Sequence, residues 1–152
     1  MADSRLRLIR SALLTRVQGI SIADGYSCDI SETGAYLKHL QFVTAPAALV
    51  YMTAEMPRSK VGARGPSSRE ARARVGIRLY AADVLNLAAD VARAVEADPA
   101  SLSLLDGQGD AYVNEVEVVG MEEVSTEVEI IGPIGQADLF VEVRYRMDRR
   151  EL

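Results

Sequence analysis

The sequence predicts an α+β fold: a mostly antiparallel β-sheet with two helices packed on one face and a long basic loop between strands. Three patterns support this class. Two stretches repeat apolar residues at helical spacing, several alternate with a period of two, and one basic stretch shows neither period. At 152 residues the chain has the size of one domain. We therefore expect a single domain over residues 1–152, which would bury roughly 70% of the unfolded chain's surface.

Two helices are predicted from apolar residues that recur every three or four positions. In residues 4–17 these are Leu6, Ile9, Leu13 and Val17. The second helix follows Asp83, a residue type that caps helix N-termini, and it ends before Pro99. Both helices have one apolar stripe, so both are expected to pack on a sheet.

The first half of the chain contains three predicted strands. Residues 26–31 alternate apolar and polar side chains, and residues 48–54 form an apolar, β-branched run typical of a buried strand. Residues 71–80 alternate most clearly. They place alanine, valine, isoleucine and leucine on one face, and arginines including Arg72 and Arg74 on the other.

The second half is predicted to be β in character after the second helix. Strands are expected at residues 112–119, 124–131 and 137–147, separated by turns at 120–123, which begins with Gly120, and at 132–135, which contains two glycines and a proline. In the last strand one face is apolar and is formed by Leu139, Val141, Val143, Tyr145 and Met147. The predicted order is α-β-β-loop-β-α-β-β-β.

The residues that catalysis or metal binding would need are scarce. Cys28 is the single cysteine and His39 the single histidine, which excludes an internal disulfide and a histidine or cysteine metal cluster. Cys28 is expected to be a small core residue and His39 a surface or loop residue. The glycines of residues 62–65 lack the Gly-Lys-Ser/Thr ending of a phosphate loop. We expect no enzyme activity, no metal and no cofactor.

No export or membrane signal is predicted. Arg5, Arg7 and Arg10 interrupt the apolar residues that a signal peptide would require. The most apolar window, residues 45–54, is about half the length of a membrane-spanning helix. The chain is therefore expected to be made in the cytoplasm, without a membrane partner.

Charge is divided unequally along the chain. Residues 1–82 contain 12 lysines and arginines against 6 acids, whereas residues 83–152 contain 5 against 16. Residues 55–69 are predicted to be a flexible basic loop because they combine Gly, Pro, Ser and cations without periodicity. Residues 148–152 are predicted to be a disordered tail.

The acidic residues of the second half are predicted to face a partner or solvent. Glu115 and Glu117 lie on one face of their predicted strand, and Glu127 and Glu129 on one face of the next. Such like charges need a counter-charge, which the arginines of residues 58–78 can supply within the subunit or from a neighbour. The candidate interface residues are Arg58, Lys60, Arg64, Arg69, Arg72, Arg74, Glu115, Glu117, Glu127 and Glu129.

Nucleic-acid binding by the basic residues 58–78 is an alternative to subunit contact. Seven cations against one acid in this stretch can follow a phosphate backbone. No aromatic residue lies in residues 52–79, so the stacking platform of a single-strand binder is missing. The remaining nucleic-acid alternative is the passage of duplex DNA through an opening lined by these basic residues.

The chain also resembles the tail terminator, or tail-completion, proteins of long-tailed bacteriophages. The resemblance covers most of the chain and is carried by short motifs, none of them catalytic. They are residues 20–26 (ISIADGY) after the opening helix, residues 48–52 (ALVYM), the basic loop, the arginine-bearing strand, residues 89–91 (ADV) followed by Asp98-Pro99, and residues 141–146 (VEVRYR).

This resemblance implies a structural virion protein at the head-proximal end of a phage tail. Such a protein forms a homomeric ring, typically hexameric, that caps the tail tube and provides the attachment surface for the head or neck. Its expected partners are copies of itself, the tail tube protein and a head or neck connector protein. A head–tail connector subunit and a nucleic-acid-binding module are the alternatives.

Overall fold

The computed structural model describes residues 5–35, 43–54, 70–97, 102, 104–105, 109–124 and 135–146. These residues form two α-helices, a short 3-10 helix and five strands, so the predicted α+β class is confirmed. In chain order the elements are α1 (Arg5–Gln18), the 3-10 helix (Ile22–Asp24), β1 (Glu32–Gly34), β2 (Ala47–Ala54), β3 (Glu70–Ala81), α2 (Val84–Glu96), β4 (Val113–Val124) and β5 (Gly135–Arg146).

The five strands form one sheet in the order β1-β2-β3-β5-β4. β1 pairs with β2 in parallel, and the other three pairings are antiparallel. β5 follows the other four strands in the chain, yet it lies between β3 and β4. In the described sheet β4 is therefore an edge strand.

Both helices pack on one face of the sheet through the predicted apolar stripes. Ile9, Leu13 and Val17 of α1 are fully buried. The carboxylate of Asp83 accepts a hydrogen bond from the backbone nitrogen of Asn86 (3.1 Å), which confirms the predicted N-cap of α2. An N-cap of this kind stabilises a helix by about 1 kcal/mol.

β3 and β5 supply the sheet side of this core. Alternate residues of β3 from Ala71 to Leu79 are fully buried, and so are Val141 and Val143 of β5. Burial of each valine, leucine or isoleucine side chain contributes roughly 1.5–3 kcal/mol. The alternation in the sequence therefore predicts correctly which side chains of β3 face the helices.

Gly135 brings the start of α2 close to the sheet. A Cβ atom at this position would lie 2.9 Å from Cγ1 of Val84 and 3.4 Å from the carbonyl oxygen of Ala81. A larger residue would push the first turn of α2 away from β5, because carbon atoms pack at about 3.5–4.0 Å.

The predicted strand at residues 26–31 is wrong. This stretch has no strand partner, because its backbone groups bond elsewhere: the nitrogen of Ile30 donates to the carbonyl of Ile20 (3.1 Å), and that of Ser27 donates to the Asp90 carboxylate (3.1 Å). Tyr26, Cys28 and Ile30 still pack against the core, so their alternation reflects burial in a loop.

The predicted turn at residues 120–123 is also wrong, because β4 runs without a break to Val124. The pairing with β5 shifts register between Val118 and Gly120, which leaves Val119 as an extra residue. The glycine thus marks a bulge and not a hairpin. The remainder of the predicted strand 124–131, most of the turn 132–135, the basic loop 55–69, the tail 148–152 and His39 lie outside the described residues.

Candidate subunit interface

The face of the sheet opposite the helices, called the open face here, carries the charged residues of the central strands. Strand register places them in two rows. The first row contains Arg72 of β3, Arg144 of β5 and Glu115 of β4, and the second contains Arg74, Glu142 and Glu117. Each row therefore contains both signs of charge, but like charges also lie directly opposite each other: Arg72 opposite Arg144, and Glu142 opposite Glu117.

Ion pairs connect the members of these rows within one chain. Nη1 of Arg144 lies 3.3 Å from Oε2 of Glu115, and Oε1 of Glu142 lies 3.7 Å from Nε of Arg144 and 3.8 Å from Nε of Arg72. The side chains of Arg72 and Glu115 are each 47% exposed. Pairs this exposed contribute about 0.2–1 kcal/mol each. Their main effect is to offset the repulsion between neighbouring like charges.

The structure thus locates four of the ten predicted interface residues. Arg72, Arg74, Glu115 and Glu117 lie together on the open face, near the start of β3. A counter-charge of Glu115 is Arg144, a residue that the sequence analysis did not select. Arg58, Lys60, Arg64, Arg69, Glu127 and Glu129 lie outside the described residues.

The best-formed ion pair on this face was not predicted. Nε and Nη2 of Arg78 donate to the two carboxylate oxygens of Asp138, at 2.7 and 2.9 Å. The side chains are 26% and 9% exposed, respectively. Two parallel hydrogen bonds between planar groups make this a strong, geometrically specific pair. A sequence signal was present: an aspartate directly precedes the apolar run of β5.

Two tyrosines, Tyr51 and Tyr80, lie near this pair and have raised pKa values. The guanidinium of Arg78 lies 5.7 Å from the ring centre of Tyr51, close enough for a cation–π interaction. Burial, followed by the negative charge of Asp138, raises the pKa of Tyr51 above 10.0. Burial also raises the pKa of Tyr80. The hydrogen bonds that Arg78 donates to Asp138 raise the pKa of the Arg78 guanidinium above its usual value, so the arginine stays charged at any physiological pH.

A small apolar cluster lies on the open face beside the Arg78–Asp138 pair. Ala47, Leu49 and Tyr80 are nearly or fully buried there, with Val43 and Ala45 packed against them. The open face therefore has two parts. One part is packed around Arg78, and the other, nearer the start of β3, carries the exposed charged rows.

A cleft of roughly 330 Å³ lies between α2 and the loops that carry Cys28 and Pro46. The Asp90 carboxylate accepts hydrogen bonds from the Ser27 hydroxyl and from Sγ of Cys28 (3.7 Å). Burial, followed by the charge of Asp90, raises the pKa of the Cys28 thiol above 9.0. A raised pKa makes the thiol a poor nucleophile at neutral pH. The arrangement fastens the loop to α2.

Three further observations bear on the class of site. Among the described residues, no group of three or more histidine, cysteine, aspartate or glutamate side chains is placed to hold a metal ion. Within the same ranges, neither helix has the length and apolar character needed to cross a bilayer. The sequence matches no known protein family, and comparison with characterised proteins also finds no match.

Proposed function

We propose that this chain is a structural subunit of a bacteriophage tail. It assembles into a homomeric ring that caps the tail tube and offers the attachment surface for the head or neck, with duplex DNA passing through the opening. The observation that carries the proposal is the open face: its two charged rows include the exposed residues Arg72, Arg74 and Glu117, whereas the other face of the sheet is filled by α1 and α2. The part of this face that carries the charged rows is covered by neither described helix, and such a surface suits contact with another protein.

The buried acids support a structural role. Asp90 and Asp138 are the buried carboxylates among the described residues, and each is already engaged in packing. Asp138 binds Arg78, and Asp90 binds the loop at Ser27 and Cys28. A catalytic acid or base needs a carboxylate that faces a substrate site. Here both carboxylates connect elements of the fold.

The proposal is tested by the mass of the purified protein and by its addition to tail tubes that lack a terminator. We expect light scattering to give a ring mass without any ligand, and electron microscopy to show rings on one end of the tubes. Binding to head connectors without binding to tubes would instead favour the neck connector. A monomer that binds neither structure would refute the proposal.

A nucleic-acid-binding module is the second candidate, because Arg72 and Arg74 are exposed side by side on the open face. This function predicts DNA affinity that falls steeply with salt, by roughly one power of the salt concentration per phosphate contact. Replacing both arginines by glutamine should then lower the affinity and the salt slope. The exposed Arg7 of α1 provides the control substitution, since it lies on the helix side of the molecule.

A further inference from the structure

The cleft beside α2 has the size and lining of a small binding pocket. Its volume is roughly 330 Å³, near the lower end of the range of about 300–1,000 Å³ that ligand pockets show. The walls are mostly apolar and come from Ala45 and Pro46 before β2, Ala81 at the end of β3 and Leu87 of α2. A recess of this kind suits the insertion of one long side chain.

The rim of the cleft is negatively charged. Asp83 is exposed there, and its two carboxylate oxygens accept hydrogen bonds from the backbone nitrogen (3.1 Å) and Nδ2 (2.7 Å) of Asn86, which leaves a lone pair on each oxygen. On the loop side, burial, then Asp90 and then Asp29 raise the pKa of the Cys28 thiol. The described residues that line the cleft include no lysine or arginine. The cleft therefore suits an apolar stem that ends in a positive charge.

The segment of residues 55–69 carries side chains of this kind. It joins β2 to β3 and lies outside the described residues. Its cations are Arg58, Lys60, Arg64 and Arg69, and its one acid is Glu55. Residues 147–152 are a weaker match, because their two arginines are balanced by two acids. Charge complementarity thus favours residues 55–69 as the occupant of the cleft.

Arg64 of this segment cannot reach the cleft of its own copy. It lies six residues before Glu70, the first residue of β3, so its backbone stays within about 22 Å of Glu70 in any conformation. Ala81 of the cleft lies at the other end of this 12-residue strand, roughly 35 Å from Glu70. The difference of about 13 Å is longer than an arginine side chain. A cleft that accepts Arg64 must therefore belong to another copy.

We infer that Arg64 of one copy inserts into the cleft of the next copy, where its guanidinium meets Asp83. This inference deepens the proposed function and rests on it, because it requires assembly of identical subunits. The segment and the cleft lie at opposite ends of β3, so each copy offers one of them to each of two neighbours. Contacts between two different surfaces repeat from copy to copy and close into a ring when the rotation permits.

The position of Cys28 allows a direct test, because this single cysteine of the chain lines the cleft. In Arg64→Cys, a bismaleimide about as long as an arginine side chain should link the new thiol to Cys28 of the neighbouring copy. Mildly alkaline pH offsets the raised pKa of Cys28. A denaturing gel should then show a ladder of linked subunits. The ladder should be absent from Arg64→Cys with Cys28→Ala, and from the matched control Arg69→Cys at the base of the segment.

A second experiment removes the charges and measures assembly by light scattering at low salt. Asp83→Asn keeps a residue type that caps helices but removes the charge, and it should raise the concentration at which half of the protein is assembled by about two- to fivefold. Arg64→Gln should have the same effect, and the double variant should be no worse than either single variant. Asp24→Asn is the control, since Asp24 is also exposed but lies outside the cleft.

The outcomes separate this inference from the proposed function. A link within one copy, equal ladders from Arg64→Cys and Arg69→Cys, or no link in rings of normal mass would overturn the inference and leave the proposed function intact. Additive effects of Asp83→Asn and Arg64→Gln would also overturn it, because residues that meet are coupled. A wild-type protein that stays monomeric with and without tail tubes would instead refute the proposed function, and this inference with it.

Discussion

Removal of the Asp138 carboxylate should destabilise the fold more than any other charge deletion on the open face. Asp138→Ala leaves the guanidinium of Arg78, 26% exposed, without its bidentate acceptor at 2.7 and 2.9 Å. Breaking a buried pair costs about 3–5 kcal/mol, and partial exposure of the arginine reduces this to about 2–3 kcal/mol. Urea unfolding at fixed protein concentration measures the difference.

A double-mutant cycle with Arg78→Met separates the pair from its surroundings. We expect a coupling energy of about 1.5 kcal/mol or more, because each single variant leaves one desolvated charge and the double variant leaves none. Arg72 and Glu142 provide the control cycle: their pair is longer, 3.8 Å, and more exposed. Its coupling should stay under about 0.5 kcal/mol. Equal coupling in the two cycles would contradict the assignment of Arg78–Asp138 as the dominant pair.

Three further predictions follow from other parts of the structure. The pKa of Tyr51 is raised above 10.0, so its contribution to stability is complete below pH 10 and is lost as the pH rises through the raised pKa. The denaturant concentration at the unfolding midpoint should therefore decrease as the pH rises above 10, and it should decrease less steeply in Tyr51→Phe. Equal decreases in the two proteins would count against this prediction. Asp90→Asn should lower the pKa of Cys28, seen as a shift of the alkylation pH profile to lower pH, whereas an unchanged midpoint would leave burial and the charge of Asp29 as the causes. Gly135→Ala should cost about 1–3 kcal/mol, because its methyl group would lie 2.9 Å from an α2 side chain, while Gly120→Ala, with open space around it, should change the unfolding free energy much less.

The elements with long, regular periods could be predicted from the sequence. Both helices, β2, β3 and most of β5 are confirmed within one or two residues of their predicted bounds. The helices, β3 and β5 have a period that only one secondary structure satisfies over ten or so residues, α2 also has the Asp83 cap, and β2 is a short apolar run typical of a buried strand. For β3 the pattern also assigned the buried and charged faces correctly.

The two wrong predictions share a physical cause. Apolar and polar side chains alternate in residues 26–31 because Tyr26, Cys28 and Ile30 pack on the core. A loop that packs in this way shows the same alternation as a strand although it does not pair with a neighbouring strand. Gly120 was interpreted as a turn residue, but a glycine can also accommodate a bulge within a strand. Both distinctions depend on which segment lies alongside, and a short local pattern does not contain that information.

The site was predicted only in part for a similar reason. The charges of Arg72, Arg74 and Glu115 on exposed strand faces followed from alternation. Their partners did not, because the pairing of β3 with β5, and not with β4, decides that Arg144 and Glu142 lie between them. The Arg78–Asp138 pair joins residues 60 positions apart, and only the sheet order brings them together.

The position of β5 has a consequence for how the protein is made. This strand is synthesised after the other four, yet β3 and β4 can be joined only when it inserts between them. During translation the edges of β3 and β4 that later pair with β5 therefore remain unpaired, and the ribosomal tunnel delays the pairing further. The described sheet is expected to be complete only after β5 has left the ribosome. The nascent chain would be most prone to aggregation in the interval before Gly135–Arg146 emerges.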